Sequence, residues 1–185
     1  MVTINIDPSQ LKRLTKVLSH IKDGAPKVLS QSINRALNKG RTEIRREIRK
    51  EYVIKQKDIP IRVVGSTPIR LGGAIIIKDT MLDLGKFKIR PLGVQRRKNK
   101  RPIHAQVRTR GGGNIPHAFM TTLPYPGPFV RRGQERLPIK KLVTIGAPIM
   151  ASQPKVGAAA NKAIGDTLAK EVDRNIKRML DKPRR

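Results

Sequence analysis

Residues 26 to 52 read PKVLSQSINRALNKGRTEIRREIRKEY. Leu29, Ile33, Leu37, Ile44, Ile48 and Tyr52 form one stripe at helical spacing, with Ala36 and Gly40 beside it. Between the apolar positions stand Glu43, Arg45, Arg46, Glu47, Arg49, Lys50 and Glu51. Glu43 and Glu47, and Arg45 and Arg49, are like-charge neighbours one turn apart, whereas Glu47 with Lys50 and Glu43 with Arg46 are opposite, so local ion pairing supports the helix only in part. The spacing predicts one long amphipathic helix of roughly 40 Å, at about 1.5 Å per residue. A glycine in a helix interior costs about 1 kcal/mol against alanine. Gly40 therefore marks a kink, a break or a close helix contact.

Towards the N-terminus, Asp23-Gly24-Ala25-Pro26 ends whatever precedes it. Asp7-Pro8-Ser9-Gln10 reads as a helix start, with a capping Asp, a Pro at the first helical position and a Gln where a capping box places one. Leu11, Leu14, Val17, Leu18 and Ile21 continue it, and alternating Val2, Ile4 and Ile6 predict a short strand before it.

In the other direction the period changes to that of strands. Ile61, Val63 and Val64, then Ala74 to Ile77, then Phe87, Ile89 and Pro91 are short apolar pieces separated by glycines. Ile103, Ala105 and Val107 alternate, and Gly111-Gly112-Gly113 follows, which predicts a hairpin with a mobile basic end. Prolines at 124, 126, 128, 138, 148 and 154 predict that no helix runs through that stretch, with strand pieces at Phe119-Met120, Phe129-Val130 and Leu142 to Ile145. From Lys155 to Asp181 the pattern is helical again. Val156, Ala160, Ile164, Leu168, Val172, Ile176 and Leu180 recur every four residues, a stripe that drifts around a 3.6-residue helix and so demands a wrapping buried face. The expected fold is α+β, with two long amphipathic helices on a small, mostly antiparallel sheet and an extended basic hairpin or loop. A single domain over 1–185 is expected, divided into N-terminal strand and helices (1–58), a β-rich basic and Pro-rich part (59–150) and a C-terminal helix (155–181).

The 185 residues carry 41 Lys plus Arg against 13 Asp plus Glu, a formal net charge of +28. Residues 1–83 hold +9 and residues 166–185 hold +3, while residues 84–165 hold +16 with Glu135 as their one acid. Such a balance calls for a polyanion or an acidic surface nearby. The absence of Cys excludes a disulfide scaffold, a Cys-ligated zinc site and a thiolate nucleophile. With 3% aromatic residues and no Trp, base-stacking modules are disfavoured. The longest aliphatic run, Ala74 to Ile77, spans no bilayer, and no secretory signal or membrane association is expected.

Candidate chemistry is sparse. His20, His104 and His117 fit no metal signature. Ser66 and Ser152 have no nucleophile elbow around them, and Asp79 with Asp83 reads as a solvated turn rather than a catalytic pair, so no enzyme activity, metal or cofactor is expected. The glycine triplet lacks the Gly-Lys-Ser/Thr ending of a phosphate loop. Far more specific is the set Lys86, Lys88, Arg90, Arg96, Arg97, Lys98, Lys100, Arg101, Arg108 and Arg110, ten basic residues with no acid between them. Contact with phosphates or with an acidic protein is the favoured reading of that segment.

Three ordered elements resemble the minor tail protein Z family of long-tailed phages and prophages. One is Asn34-Arg35-Ala36-Leu37-Asn38 with Arg41-Thr42 and Arg45-Arg46-Glu47, followed by Tyr52 to Ile59. The second is Phe87-Lys88-Ile89-Arg90-Pro91. The third runs from Ala118-Phe119 to Phe129-Val130-Arg131-Arg132-Gly133, Arg136-Leu137-Pro138-Ile139-Lys140-Lys141-Leu142 and Gly146 to Met150. Leu123 to Pro128 is richer in proline than the family pattern and is expected to take its own path. The resemblance implies a tail-completion protein of the virion, assembled in the host cytoplasm and seated at the head-proximal end of the tail. It implies a homohexameric ring beside the tail terminator or tail tube protein and the neck or connector proteins, with Phe119, Phe129, Arg131, Arg132, Arg136, Pro138 and Ile139 as an interface. The basic segment would meet viral DNA by sequence-independent phosphate contact, or an acidic protein ring. A stand-alone basic nucleic-acid-binding protein, ribosome-associated or DNA-packing, is the alternative.

Overall fold

The computed structural model describes residues 2–3, 24–78, 81–95, 101–122 and 126–181. The helix expected from Pro8 to Ile21, the strand residues beyond Thr3, His20, Asp79, the run Arg96 to Lys100 and residues Leu123 to Tyr125 lie outside them. The fold is α+β, and the chain forms two compact units, each assembled from segments distant in sequence.

The first unit comprises Met1–Arg45, Ile61–Lys78 and Gln153–Arg185. Helix α1 (Gly24–Glu51) contributes most of its length here, and its last turn belongs to the second unit. A three-stranded antiparallel sheet has β3 (Ala74–Ile77) in the centre, flanked by β1 (Val2–Thr3) and β2 (Ile61–Val64). Its register pairs Ile61 with Ile77 and Val63 with Ile75. Helix α3 (Pro154–Leu180) completes the unit and runs antiparallel to α1. Its C-terminal Val172, Ile176 and Met179 pack on Ala25, Val28 and Leu29. Further along, Glu171 pairs with Arg35, and Ile164 meets α1 at Gly40. A Cβ on Gly40 would lie 2.6 Å from Ile164 Cγ1 and Cδ1. Of the three readings of Gly40, close helix contact is the one observed, and the helix continues through it. The Asn34 side chain clasps the loop after β2, accepting from the Ser66 N–H (2.7 Å) and donating to the Ser66 carbonyl (2.9 Å).

The stripe of α3 drifts as its four-residue period requires. Val156, Ala160 and Ile164 are buried, Leu168, Val172 and Ile176 are half-buried, and Leu180 is exposed. Near the C-terminus the buried face passes to Asn175 and Met179, one position earlier in each turn.

The second unit comprises Arg46–Pro60 and Asp79–Ser152. Its described residues form three small antiparallel sheets rather than one. β5 (Lys88–Arg90), β6 (Ile103–Gln106) and β7 (Gly113–Ile115) form the first, β8 (Ala118–Thr121), β9 (Gly127–Arg131) and β10 (Ile139–Lys141) the second, and β4 (Met81–Asp83) with β11 (Val143–Gly146) the third. Leu142 joins the last two, donating to Pro128 O and accepting from Leu84 N–H. Leu84, Ile89 and Ala105 form a core cluster with Val107, Ile115, Met120 and Leu142 against it. Pro116 and His117 turn the chain from β7 into β8, with His117 at φ 57°. Within the proline-rich stretch a single helical turn does form, α2 (Ala147–Ala151). Pro148 sits in its first turn, where a missing N–H donor costs nothing, which the expectation of no helix there overlooked.

Candidate functional site

Strand pairing sorts the first basic residues onto one surface. Lys88 faces Gln106 and Arg90 faces His104 across β5 and β6, and His104 faces Asn114 of β7. Paired residues share a face, so Lys88, Arg90, His104, Gln106 and Asn114 look outward while Ile89, Ile103 and Ala105 are buried beneath. Among the described residues that face has no acid.

Beside it the segment leaving α1 meets the start of β5 through a bridge between Ile54 and Phe87, and meets the end of β6 through one between Tyr52 and Arg108. Val53 N–H donates to Val107 O, and Thr109 N–H to Glu51 O. These contacts bound a cleft of about 710 Å³. One wall is Arg49 and Tyr52 to Lys55 with Asp58, the other Gly85 to Arg90 with Leu92. Five cations stand on its lining, Arg49, Lys55, Lys86, Lys88 and Arg90, against the single acid Asp58. None of the five has an ion pair among the described residues. Two carboxylates elsewhere in the unit are engaged: Glu47 with Arg46 and Lys50, and Asp83 with Lys141. Asp83 also accepts from Gly85 N–H, capping the turn that leads to Lys86, so it has a structural task beyond a solvated turn.

The remaining sequence-derived candidates disperse. Arg101 is held at its backbone by the Gln95 side chain through two hydrogen bonds of 2.8 Å. Arg108 lies with its guanidinium 6.0 Å from the Tyr52 ring centroid, and Arg110 is exposed in the connection to β7. Arg96, Arg97, Lys98 and Lys100 lie outside the described residues.

The second candidate set does gather in one sheet. Phe119 pairs directly with Phe129, and Arg131 pairs with Ile139. Phe129 is 4% exposed, so it serves the core and presents nothing to a partner in this fold. Arg131 stacks 5.1 Å over the Phe119 ring and donates to the carbonyls of Glu135 and Arg136. Its work is to brace the loop between β9 and β10, which carries the exposed Arg132 and Arg136 and is closed by Arg132 N–H to Pro138 O.

Arg49 and Lys55 are the site residues that sequence reading missed as members of the basic set. They precede Lys86 by more than 30 positions, and the Ile54–Phe87 bridge brings the two segments together. Among the described residues no cluster of His, Asp and Glu is arranged to hold a metal ion, and no helix is long and apolar enough to cross a membrane. The chain matches no protein-family model, no curated protein and no solved structure.

Proposed function

We propose that the chain is a structural virion protein that completes a long phage tail, assembling as a ring of six at the head-proximal end and catalysing no reaction. Its setting is drawn from the ordered motifs that resemble the minor tail protein Z family. One observation carries the anion-facing part of the reading: five cations with no ion pair among the described residues converge on one cleft and the adjoining sheet face, against the one acid Asp58 on its described lining. Six copies at +28 would carry +168, a ring that self-repulsion opposes unless DNA or an acidic protein ring neutralises it. The cationic surface serves that purpose without reading bases, which suits DNA that has to slide.

Electron microscopy of particles carrying a labelled chain tests the proposal. The expected result is a ring of label where tail joins head. Label distributed along the tail, or a chain that sediments with ribosomes or bulk nucleic acid and is absent from particles, would overturn it and favour the stand-alone nucleic-acid binder.

A further inference from the structure

The cleft is more selective than a patch of positive charge. We propose that it binds an extended segment of a partner protein in which carboxylates alternate with apolar side chains. This rests on the reading of the second unit as an anion-facing surface and names what occupies its concave part.

Shape is the first argument. A cleft of about 710 Å³ lies within the range that admits a small ligand or a short stretch of chain. A DNA duplex spreads its phosphates over an open surface and brings little of its backbone into such a space. Apolar surface is the second argument. Tyr52, Ile54, Phe87 and Ile89 are on the lining but buried, whereas Leu92 stands on the wall with 81% of its surface exposed. Phosphodiesters gain nothing from carbon at that position, whereas an apolar side chain does.

Spacing is the third argument. Lys88 and Arg90 project from alternate positions of a strand, about 6.6–6.8 Å apart at ordinary strand rise. Alternate carboxylates of another extended chain repeat at the same interval. β5 is also the outermost strand of its sheet, and beyond the Ile54–Phe87 bridge its Lys88–Arg90 edge has no strand beside it among the described residues, a position where an extended segment can lie.

The test uses the full chain at low salt and three probes: a short capped peptide alternating Glu and Val, a block peptide of the same composition, and a short DNA duplex. The alternating peptide is expected to bind best. The double variant Lys88→Gln/Arg90→Gln should weaken it about tenfold, and Leu92→Ser about threefold. The double variant Lys162→Gln/Lys170→Gln, outside the cleft, should leave it unchanged. All five residues are exposed, so the fold tolerates the changes. Equal binding of the block peptide, indifference to Leu92→Ser, or equal loss in the Lys162/Lys170 variant would overturn the proposal. If the duplex alone loses affinity in the Lys88/Arg90 variant, the cleft is a phosphate site; the proposal then fails and the anion-facing reading stands. If no probe responds to any variant, both fail.

Discussion

Asn175 occupies a core position on α3, 2% exposed, where the four-residue stripe offers no polar residue. Its Nδ2 donates to Ser32 Oγ at 3.0 Å, and the Ser32 hydroxyl donates to Val28 O at 2.8 Å. Its Oδ1 is buried with no donor among the described residues. Such a half-satisfied pair is weak as a source of stability and strong as a penalty for wrong packing. Ser32→Ala removes the Nδ2 partner and is expected to cost about 1–3 kcal/mol, whereas Asn175→Leu should be neutral or stabilising. Urea unfolding of both variants checks this, and a Ser32→Ala midpoint equal to the parent's would show that the amide finds another partner. At Gly40 two effects compete. Alanine would gain about 1 kcal/mol of helix propensity, but its Cβ would strike the Ile164 side chain and also come within 3.2 Å of Ile75 Cδ1. Overpacking of this kind costs typically 1–3 kcal/mol. Gly40→Ala is therefore expected to lower the melting temperature, and Ile164→Val in the same chain to restore part of it. Burial, and then Arg41 one turn away, hold the Arg45 guanidinium below its ordinary value. Arginine stays charged across the ordinary pH range, so this is a fixed cost rather than a pH switch.

At the scale of elements, depth of burial should rank the helix truncations. Ile44 of α1 is 2% exposed, and Ile44→Ala is expected to cost about 2–5 kcal/mol. Leu168 of α3 is only half-buried, so Leu168→Ala should cost about half as much. Thermal unfolding orders the two, and an equal loss would place Leu168 deeper than its exposure indicates. Both long helices and most strands were legible in the sequence because each buries one face and so carries a period: α1 in its Leu29-to-Tyr52 stripe, β6 in Ile103 and Ala105 around His104. Three things were not. Which residues take over when the stripe of α3 drifts depends on the facing helix, so Asn175 could not be read as core. Two of the three sheets that the described residues of the β-rich part form meet at Leu142, which splits its backbone bonds between Pro128 and Leu84, a choice with no sequence period. The cleft was half-legible: Lys86, Lys88 and Arg90 announce themselves as a cationic run, whereas Arg49 and Lys55 look like ordinary solvated charges until the Ile54–Phe87 bridge is formed. Arg131 shows the converse, since a conspicuous arginine pair suggests an interface and one of the two is spent on its own loop.

For the whole molecule, charge and connectivity matter most. Lys plus Arg exceed Asp plus Glu by 14 in each unit, although the linear sequence concentrates its acid-free stretch in the middle. Neither unit can therefore neutralise a second copy of the other, and the isolated chain is expected to be monomeric or weakly associated at low salt. Sedimentation velocity checks this, and a stable hexamer in dilute buffer would contradict it. The interleaved connectivity has a consequence for synthesis. The second unit has all its segments in hand, and is free to close, once Ser152 has emerged from the ribosome. The first unit begins earlier but needs α3, which is made after everything else described. At about 5–20 residues per second, α1 waits on the order of 5–25 s with the face destined for α3 uncovered. Order of translation and order of completion are thus reversed, and the nascent chain exposes the apolar stripe of α1 at the stage when a chaperone, or a misdirected contact, has the most time to find it.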